Sequence, residues 1–147
     1  MTNQCLYEQD FYAWANEQAA LLRAGRLSEA DIEHIAEEIE SMGKTEKREL
    51  VSRLAVLLLH LLKWQHQPTH RGTSWRLSVE NARDDISDHL GDNLSLKSLL
   101  DDSVVAAYRR ARRQAAAETG LGQDNFPQTC PWTFDQIIAA DFWPDAV

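Results

Sequence analysis

The sequence has few cysteines and no long apolar run, and each absence narrows what the protein can be. Its 147 residues include two cysteines, Cys5 and Cys130, which are too few and too far apart for a zinc motif or a disulfide framework. The longest apolar run, 54–62 with His60 inside it, has nine residues, whereas a helix that crosses a bilayer needs about 20. No export signal precedes Leu6. We therefore expect a cytoplasmic protein with no membrane association.

Motifs that would identify a reaction are also missing. The sequence contains no phosphate-binding loop, dinucleotide glycine pattern, nucleophile elbow, zinc-protease helix or zinc-finger spacing. No stretch alternates between apolar and polar residues as a half-buried strand does, and there are no repeats, low-complexity tracts or linkers. A chain of this length suits one domain. We predict a single all-α domain over residues 1–147 with no cofactor, no bound metal and no catalytic residue, and we favour a role other than catalysis.

Charge is plentiful but unevenly distributed along the chain. The net charge is −8, which argues against general affinity for nucleic acid or anionic membrane. Residues 1–43 have two basic and nine acidic side chains, 44–83 have eight and three, and 84–147 have five and eleven. The arginines within 109–113 spread over more than half of a helix circumference, which is more typical of a solvated helix or an oligomer contact than of a nucleic-acid stripe. The basic middle segment either lies between acidic neighbours or forms an anion site; we favour the first.

Apolar spacing and helix-end residues predict six helices. Their expected ranges are 8–23, 28–42, 45–65, 74–90, 95–119 and 134–140. The expected amino-terminal caps are Ser28, Ser74, Ser95 and Thr133, and the expected stops are Gly25, Gly43, Gly91 and Gly120. Thr133 with Gln136 forms a capping-box pattern. The segment after Gly120, broken by Pro127 and Pro131, is expected to strap across the bundle.

The third helix is predicted to lie at the centre of the bundle. Between Arg53 and Lys63 only His60 is polar, so apolar atoms cover every side of this helix. A buried imidazole without a partner costs on the order of 1 to 3 kcal/mol, so His60 needs a hydrogen-bond partner. We interpret it as bonded to a carboxylate such as Glu37 or Glu38, to a tryptophan or to a backbone group, and prefer this to a general base or ligand in a cleft.

A basic and aromatic cluster, which we call the corner, joins the third and fourth helices. Its candidate anion-binding residues are Lys63, His66, His70, Arg71, Ser74 and Arg76. Arg71 and Arg76 can give forked bonds to a phosphate or carboxylate, and free amides at the start of a helix favour anions. The same residues fit a packed corner, in which Trp64 and Trp75 fill the core and the arginines pair with the acidic residues of 37–40. We favour the packed corner.

Metal-ligand spacings are present but incomplete. Asp31 precedes His34 by three residues, His34 precedes Glu38 by four, and Asp85 precedes His89 by four. A di-iron bundle needs two Glu-x-x-His pairs and two further glutamates, so this set falls short. His66 and His70 also lie four apart, but Pro68 between them breaks the helical geometry that would make the spacing meaningful.

Several short motifs along the chain resemble those of one known family. They are YEQDFYAW at 7–14, EEIESMG at 37–43, LLLHLLKW and QP within 57–68, SW at 74–75, AY at 107–108, ETGL at 118–121, and FP and CPW within 126–132. On these the chain resembles, over nearly its full length, the bacterial family catalogued as domain of unknown function 29. The resemblance implies an all-helical bacterial protein and brings no activity, cofactor or catalytic residue.

These observations predict a small helical interaction or regulatory module that self-associates or binds a protein partner. The alternative is nucleotide or nucleic-acid phosphate binding or processing at the corner. Arg71 and Arg76 in an open pocket without a carboxylate would favour the alternative. Arginines bonded inside the protein beside buried tryptophans would favour the module.

Overall fold

In a computed structural model, residues 3–147 are described, with side chains from Leu6 onward, and this part of the chain is helical without strands. The α-helices are α1 Asn3–Gln9, α2 Phe11–Arg23, α3 Ile32–His66, α4 Thr73–Asp92, α5 Leu100–Thr119 and α6 Phe134–Ile138. The predicted all-α class is confirmed. Backbone contacts divide the chain into two compact units, residues 1–45 and 46–147.

Two errors in the predicted helix boundaries cancel in the helix count. The helix predicted at 8–23 is two helices, because Asp10 leaves the helical conformation and its carboxylate accepts a hydrogen bond from the Ala13 amide at 3.0 Å. The helices predicted to meet at Gly43 are one helix of 35 residues. Gly43 has a negative φ and a methyl group there would touch nothing within 4 Å. A helical glycine costs only about 1 kcal/mol relative to alanine, which is too little to end a helix that is otherwise favourable.

Three predicted serine caps are wrong. Ser28 lies in a 3-10 turn, Leu27–Glu29, and Asp31 instead accepts a hydrogen bond from an amide in the first turn of α3, that of His34, at 3.4 Å. Ser74 lies inside α4, whose cap position is Gly72 and has no side-chain bond. Ser95 lies in a 3-10 turn that precedes α5.

Two of the four predicted glycine stops and the predicted capping box are confirmed. Gly25 and Gly120 follow α2 and α5 with φ of 72° and 76°, the left-handed conformation that favours glycine, so both stops are confirmed. Gly91 lies within α4, so this stop is wrong. Thr133 and Gln136 exchange both bonds of a capping box at the start of α6, as predicted.

The core of the second unit is built around the carboxyl-terminal half of α3, as predicted. Its fully buried leucines are Leu50, Leu54, Leu57, Leu58, Leu61 and Leu62. Val79 and Ile86 of α4 and the buried alanines of α5, Ala107, Ala111 and Ala115, pack against them. Val56 is 46% exposed, so one side of this helix faces solvent. His60 is half-buried and its Nδ1 lies 2.8 Å from the Val56 carbonyl, which confirms a backbone partner.

The segment after α5 is held to the helices by side chains that bond its backbone carbonyls. The Tyr108 hydroxyl donates to the Pro127 carbonyl at 2.6 Å, and Arg112 Nε donates to the Phe126 carbonyl at 3.2 Å. Phe126 is itself buried in the core of this unit. The predicted proline-punctuated strap is therefore confirmed, and we keep that name for residues 121–133.

Arg83 of α4 fixes the chain that follows the strap. It is 5% exposed and donates to the carbonyls of Ile137 at 2.8 Å, Ala140 at 3.3 Å and Phe142 at 2.5 Å. Burial lowers the pKa of Arg83, and the charges of Asp141 and Glu80 act in the opposite direction. Three carbonyl oxygens thus replace the water that this guanidinium loses.

Candidate functional site

The Arg71 side chain of the corner makes its contacts within the second unit, to which it belongs. Its Nε donates to the Trp64 carbonyl at 2.7 Å, and its guanidinium carbon lies 4.9 Å from the centre of the Trp64 ring. One terminal nitrogen of Arg71 is buried and has no hydrogen-bond partner among the described residues. Because protein atoms cover this nitrogen, an anion arriving from solvent would not reach it.

The remaining cations of the corner contact tryptophan faces. Lys63 Nζ lies 4.9 Å from the centre of the Trp75 ring and 3.7 Å from a Glu118 carboxylate oxygen. Arg76 lies 5.5 Å from the Trp143 ring, an attractive cation–π distance. The arginines of the corner therefore have carbonyls and ring faces as partners, in place of the expected carboxylates.

The two histidines and the serine of the corner point different ways. His66 lies between the Leu62 and Asn125 carbonyls, with ring nitrogens 3.0 Å and 3.1 Å from them. His70 is exposed and stacks loosely on Trp75, with ring centres 6.4 Å apart. Ser74 is exposed on the first turn of α4. The six candidate residues thus share a region but do not converge on one open cavity.

The two tryptophans of α3 and α4 differ in burial. Trp64 is 8% exposed and its ring centre lies 4.4 Å from that of Trp143, whereas Trp75 is half-buried. Trp143 was not assigned to the corner from the sequence, because it lies 79 residues after Trp64 and no spacing rule connects them. The geometry is that of a packed corner with aromatic and cationic layers.

The first unit contains a partly buried polar cluster around Asp31. The Asp31 carboxylate accepts from His34 Nδ1 at 2.7 Å and from Trp14 Nε1 at 3.2 Å, and the Asp31 amide donates to the Gln18 side chain at 2.7 Å. The ring of Tyr7 stacks on His34 with centres 4.0 Å apart. Asp31 and His34 have the spacing of a metal-ligand pair, but here they are bonded to each other.

The charges in this cluster shift the titration of its members. Partial burial acts to raise the pKa of Asp31, but hydrogen bonds from His34 and Trp14 outweigh it and hold that pKa below its usual value. The bond to Asp31 raises the pKa of His34. The Tyr7 hydroxyl donates to Glu38, and that bond, with burial and nearby carboxylates, raises the pKa of Tyr7 to about 12. Near neutral pH, Tyr7 is therefore a hydrogen-bond donor and not a base.

The amino-terminal part of α3 carries an apolar face that is open to solvent. Ile32, Ile39 and Met42 are 55%, 58% and 62% exposed, and Ala36 between them is also exposed. Their spacing places them on one side of the helix. We call the residues Ile32, Ala36, Ile39 and Met42, with Glu33, Glu37 and Glu40 beside them, the α3 face. No signal in the sequence indicates that this apolar row is open to solvent.

A third group of ionisable side chains joins α3 and α4 in the second unit. Ligand atoms of Glu46, Glu49 and His89 all lie within 4.8 Å of one another. His89 Nε2 is 2.8 Å from the Glu46 carbonyl, and a carbonyl only accepts, so this nitrogen carries the proton. Metal binding through Nε2 would require this nitrogen to lose its proton. Arg53 also bonds Glu49 at 2.5 Å, and the group is described best as a structural ion-pair network.

One comparison with known proteins identifies a family. The model of the family described as Domain of unknown function DUF29 matches residues 6–143. No curated protein and no solved structure matches the chain. Within residues 3–147, every helix is either too short or too polar to cross a bilayer. The family match covers nearly the whole chain, includes every motif quoted above and confirms the resemblance, so the chain belongs to the DUF29 family.

Proposed function

We propose that the protein is a helical interaction module whose first unit binds an amphipathic, basic helix of a partner protein on the α3 face. The observation that carries this proposal is the exposure of Ile32, Ile39 and Met42, each more than half open to solvent on one side of one helix. Single exposed apolar residues are ordinary, but a row at helical spacing is typical of a helix-binding surface.

The charge beside this row selects the partner. Glu33, Glu37 and Glu40 are exposed along the α3 face, and residues 1–43 contain nine acidic and only two basic side chains. Opposite charges at the rim of an interface speed encounter and exclude like-charged partners. Two copies joined by this same face would bring six of these glutamates together, so a basic partner fits better than a second copy.

The proposal is tested with a synthetic peptide, because the partner itself is defined only by its chemistry. The full chain is titrated against a fluorescent helical peptide with leucines on one face and lysines on the other, and binding is followed by anisotropy. We expect binding that weakens at least about tenfold in Ile39→Asp, since an isoleucine buried at an interface contributes roughly 1.5–3 kcal/mol. Leu94→Asp is the matched control, because Leu94 is 62% exposed and lies in the second unit.

Three outcomes would contradict this function. Equal binding of a peptide with glutamates in place of the lysines would remove the charge argument. An equal loss in Leu94→Asp would show that the apolar contact is unspecific. A wild-type dimer in sedimentation velocity that Ile39→Asp dissociates would make a second copy the occupant of the α3 face.

Phosphate binding at the corner stays a prediction with less support. Arg71 is committed to Trp64, and Lys63 to Trp75 and Glu118, which leaves His70, Ser74 and Arg76 as the exposed members of the set. We expect mixed nucleotides and short DNA or RNA at low salt to bind the wild type and the double variant His70→Gln, Arg76→Gln equally weakly. Binding that is lost in this variant while its circular dichroism is retained would support the corner instead.

A further inference from the structure

A cavity of about 230 Å³ lies between α5 and the strap, at a place that no motif assigned to binding. Its lining residues from α5 are Val105, Tyr108, Arg109 and Arg112, and the strap adds Cys130 with three neutral polar side chains. All of these residues belong to the second unit. The cavity is smaller than the roughly 300–1,000 Å³ of pockets for drug-sized ligands, so it suits a small molecule.

The lining is positively charged in a chain that is acidic overall. Arg109 and Arg112 are three residues apart on α5, hence on the same side of the helix, and none of the described lining residues is acidic. Arg109 is exposed and has no ion-pair or hydrogen-bond partner among the described residues. Nε of Arg112 donates to the Phe126 carbonyl at 3.2 Å. That bond orients the guanidinium and leaves its two terminal nitrogens for a ligand.

The rest of the lining is an apolar patch on α5, a half-buried thiol and three neutral polar side chains. Val105 and the ring of Tyr108 are the apolar part of the lining on α5, and the Tyr108 hydroxyl donates to the Pro127 carbonyl. The Cys130 thiol donates to the Trp132 carbonyl at 3.3 Å. Burial raises the pKa of Tyr108 to about 12 and also raises the pKa of the Cys130 thiol. Neither group is a nucleophile or base near neutral pH, so the cavity is suited to binding and not to covalent chemistry.

From this arrangement we infer that the cavity binds a small organic carboxylate with an apolar body. The carboxylate would take forked bonds from Arg109 and the terminal nitrogens of Arg112. The apolar body would lie against Val105, Tyr108 and Cys130. Inorganic phosphate is also an anion but has no apolar group to pack against these side chains. A carboxylate with a ring or short chain therefore fits better. The inference does not depend on the function proposed for the α3 face.

The experiment uses three probes on the full chain. Calorimetric titration compares benzoate, its neutral counterpart benzamide, and inorganic phosphate. We expect benzoate to bind at least about tenfold more tightly than either of the others, because benzamide lacks the charge and phosphate lacks the apolar body. Arg109→Gln should weaken benzoate binding by a similar factor, because one of the two guanidinium groups is removed while the helix surface is retained.

The control variant is Arg113→Gln, on an exposed arginine of the same helix that does not line the cavity. It should bind benzoate as the wild type does. A second variant, Val105→Trp, should block the cavity, and Val105 is 61% exposed, so the larger side chain need not disturb the core. Unchanged circular dichroism confirms the fold of each variant. The inference is overturned if benzoate does not bind up to about 10 mM, if benzamide or phosphate binds as tightly, if Val105→Trp binds benzoate as the wild type does, or if Arg113→Gln loses as much as Arg109→Gln.

Discussion

At the scale of single residues, the chain relies on polar side chains whose partners lie far away in sequence. Asp31 accepts a hydrogen bond from Trp14, 17 residues earlier in the chain, and Arg83 donates to carbonyls more than 50 residues later. Each of these groups is half-buried or buried, so an unpaired partner would carry a desolvation penalty. This makes such pairs sensitive points of stability.

The pair of Asp31 and His34 predicts how the stability of the first unit depends on pH. His34 has a raised pKa, so its contribution is present at low pH and is lost as the pH rises through that pKa. Asp31 has a lowered pKa, so its contribution is present at higher pH and is lost as the pH falls through that pKa. The pair therefore stabilises most in mildly acidic solution. Thermal unfolding followed by tryptophan fluorescence should show a falling midpoint between about pH 6 and pH 8 that flattens in His34→Gln. Parallel curves for the two proteins would contradict this.

Arg83 predicts a large loss of stability on substitution. Arg83→Met removes three hydrogen bonds from a charged donor and leaves the carbonyls of Ile137, Ala140 and Phe142 to find new partners. We expect the free energy of unfolding to fall by roughly 2–4 kcal/mol in urea titrations. Arg113→Met, at an exposed position, should change it by less than about 0.5 kcal/mol. A loss of similar size in both variants would show that the contribution of Arg83 is ordinary.

At the scale of helices, the position of each end is decided by backbone conformation more than by residue type. Gly25 and Gly120 have positive φ and end their helices, whereas Gly43 and Gly91 keep helical angles inside theirs. The same residue type therefore has opposite effects, and only the backbone angle distinguishes them.

Two glycine substitutions test that difference. Gly43→Ala should raise the free energy of unfolding by about 0.5–1 kcal/mol, because alanine favours the helix and its methyl group meets no atom within 4 Å. Gly120→Ala should lower it by about 1 kcal/mol, because alanine disfavours a φ of 76°. Urea unfolding measures both. Equal signs for the two variants would mean that the left-handed stop at Gly120 has no energetic role.

Much of the helical architecture was predictable from the sequence, but the contact partners of individual polar side chains were not. The leucines of 54–62 indicated the central helix, and Thr133 with Gln136 indicated a cap because two reciprocal groups make a specific pattern. A lone serine makes no such pattern, and Ser28, Ser74 and Ser95 each failed. The anion-binding role of the corner residues stays a prediction, and the partners of its arginines are a backbone carbonyl and ring faces, which have no signature in a sequence. For the same reason Arg109 and Arg112 read as part of a solvated basic run, because the position of the strap could not be foreseen.

At the scale of the molecule, the net charge of −8 hides how the charges are used. Two basic residues of the second unit have acidic neighbours: Arg53 contacts Glu49 and Asp85, and Lys63 contacts Glu118. The glutamates of the α3 face at 33, 37 and 40 are exposed, with no ion pair among the described residues. The charge of these three glutamates is therefore not neutralised within the described part of the chain.

Salt concentration should distinguish the electrostatic contribution to the proposed interaction from the apolar contribution. The screening length falls from about 10 Å at 0.1 M to about 3 Å at 1 M ionic strength. Binding of the lysine-faced peptide should weaken several-fold over this range and then level off, because contacts with Ile32, Ile39 and Met42 do not depend on ionic strength. Anisotropy titrations at both concentrations measure this. Binding that vanishes at high salt would show that the apolar row contributes little.

Residues 141–147 complete the second unit. The Phe142 carbonyl accepts from Arg83, the Trp143 ring covers Trp64, and the Val147 amide donates to the Gln65 carbonyl at 3.2 Å. Truncation before Asp141 would uncover an indole and remove one of the three carbonyls that bind the buried Arg83 guanidinium. Truncated molecules should therefore unfold more readily and be more susceptible to proteolysis.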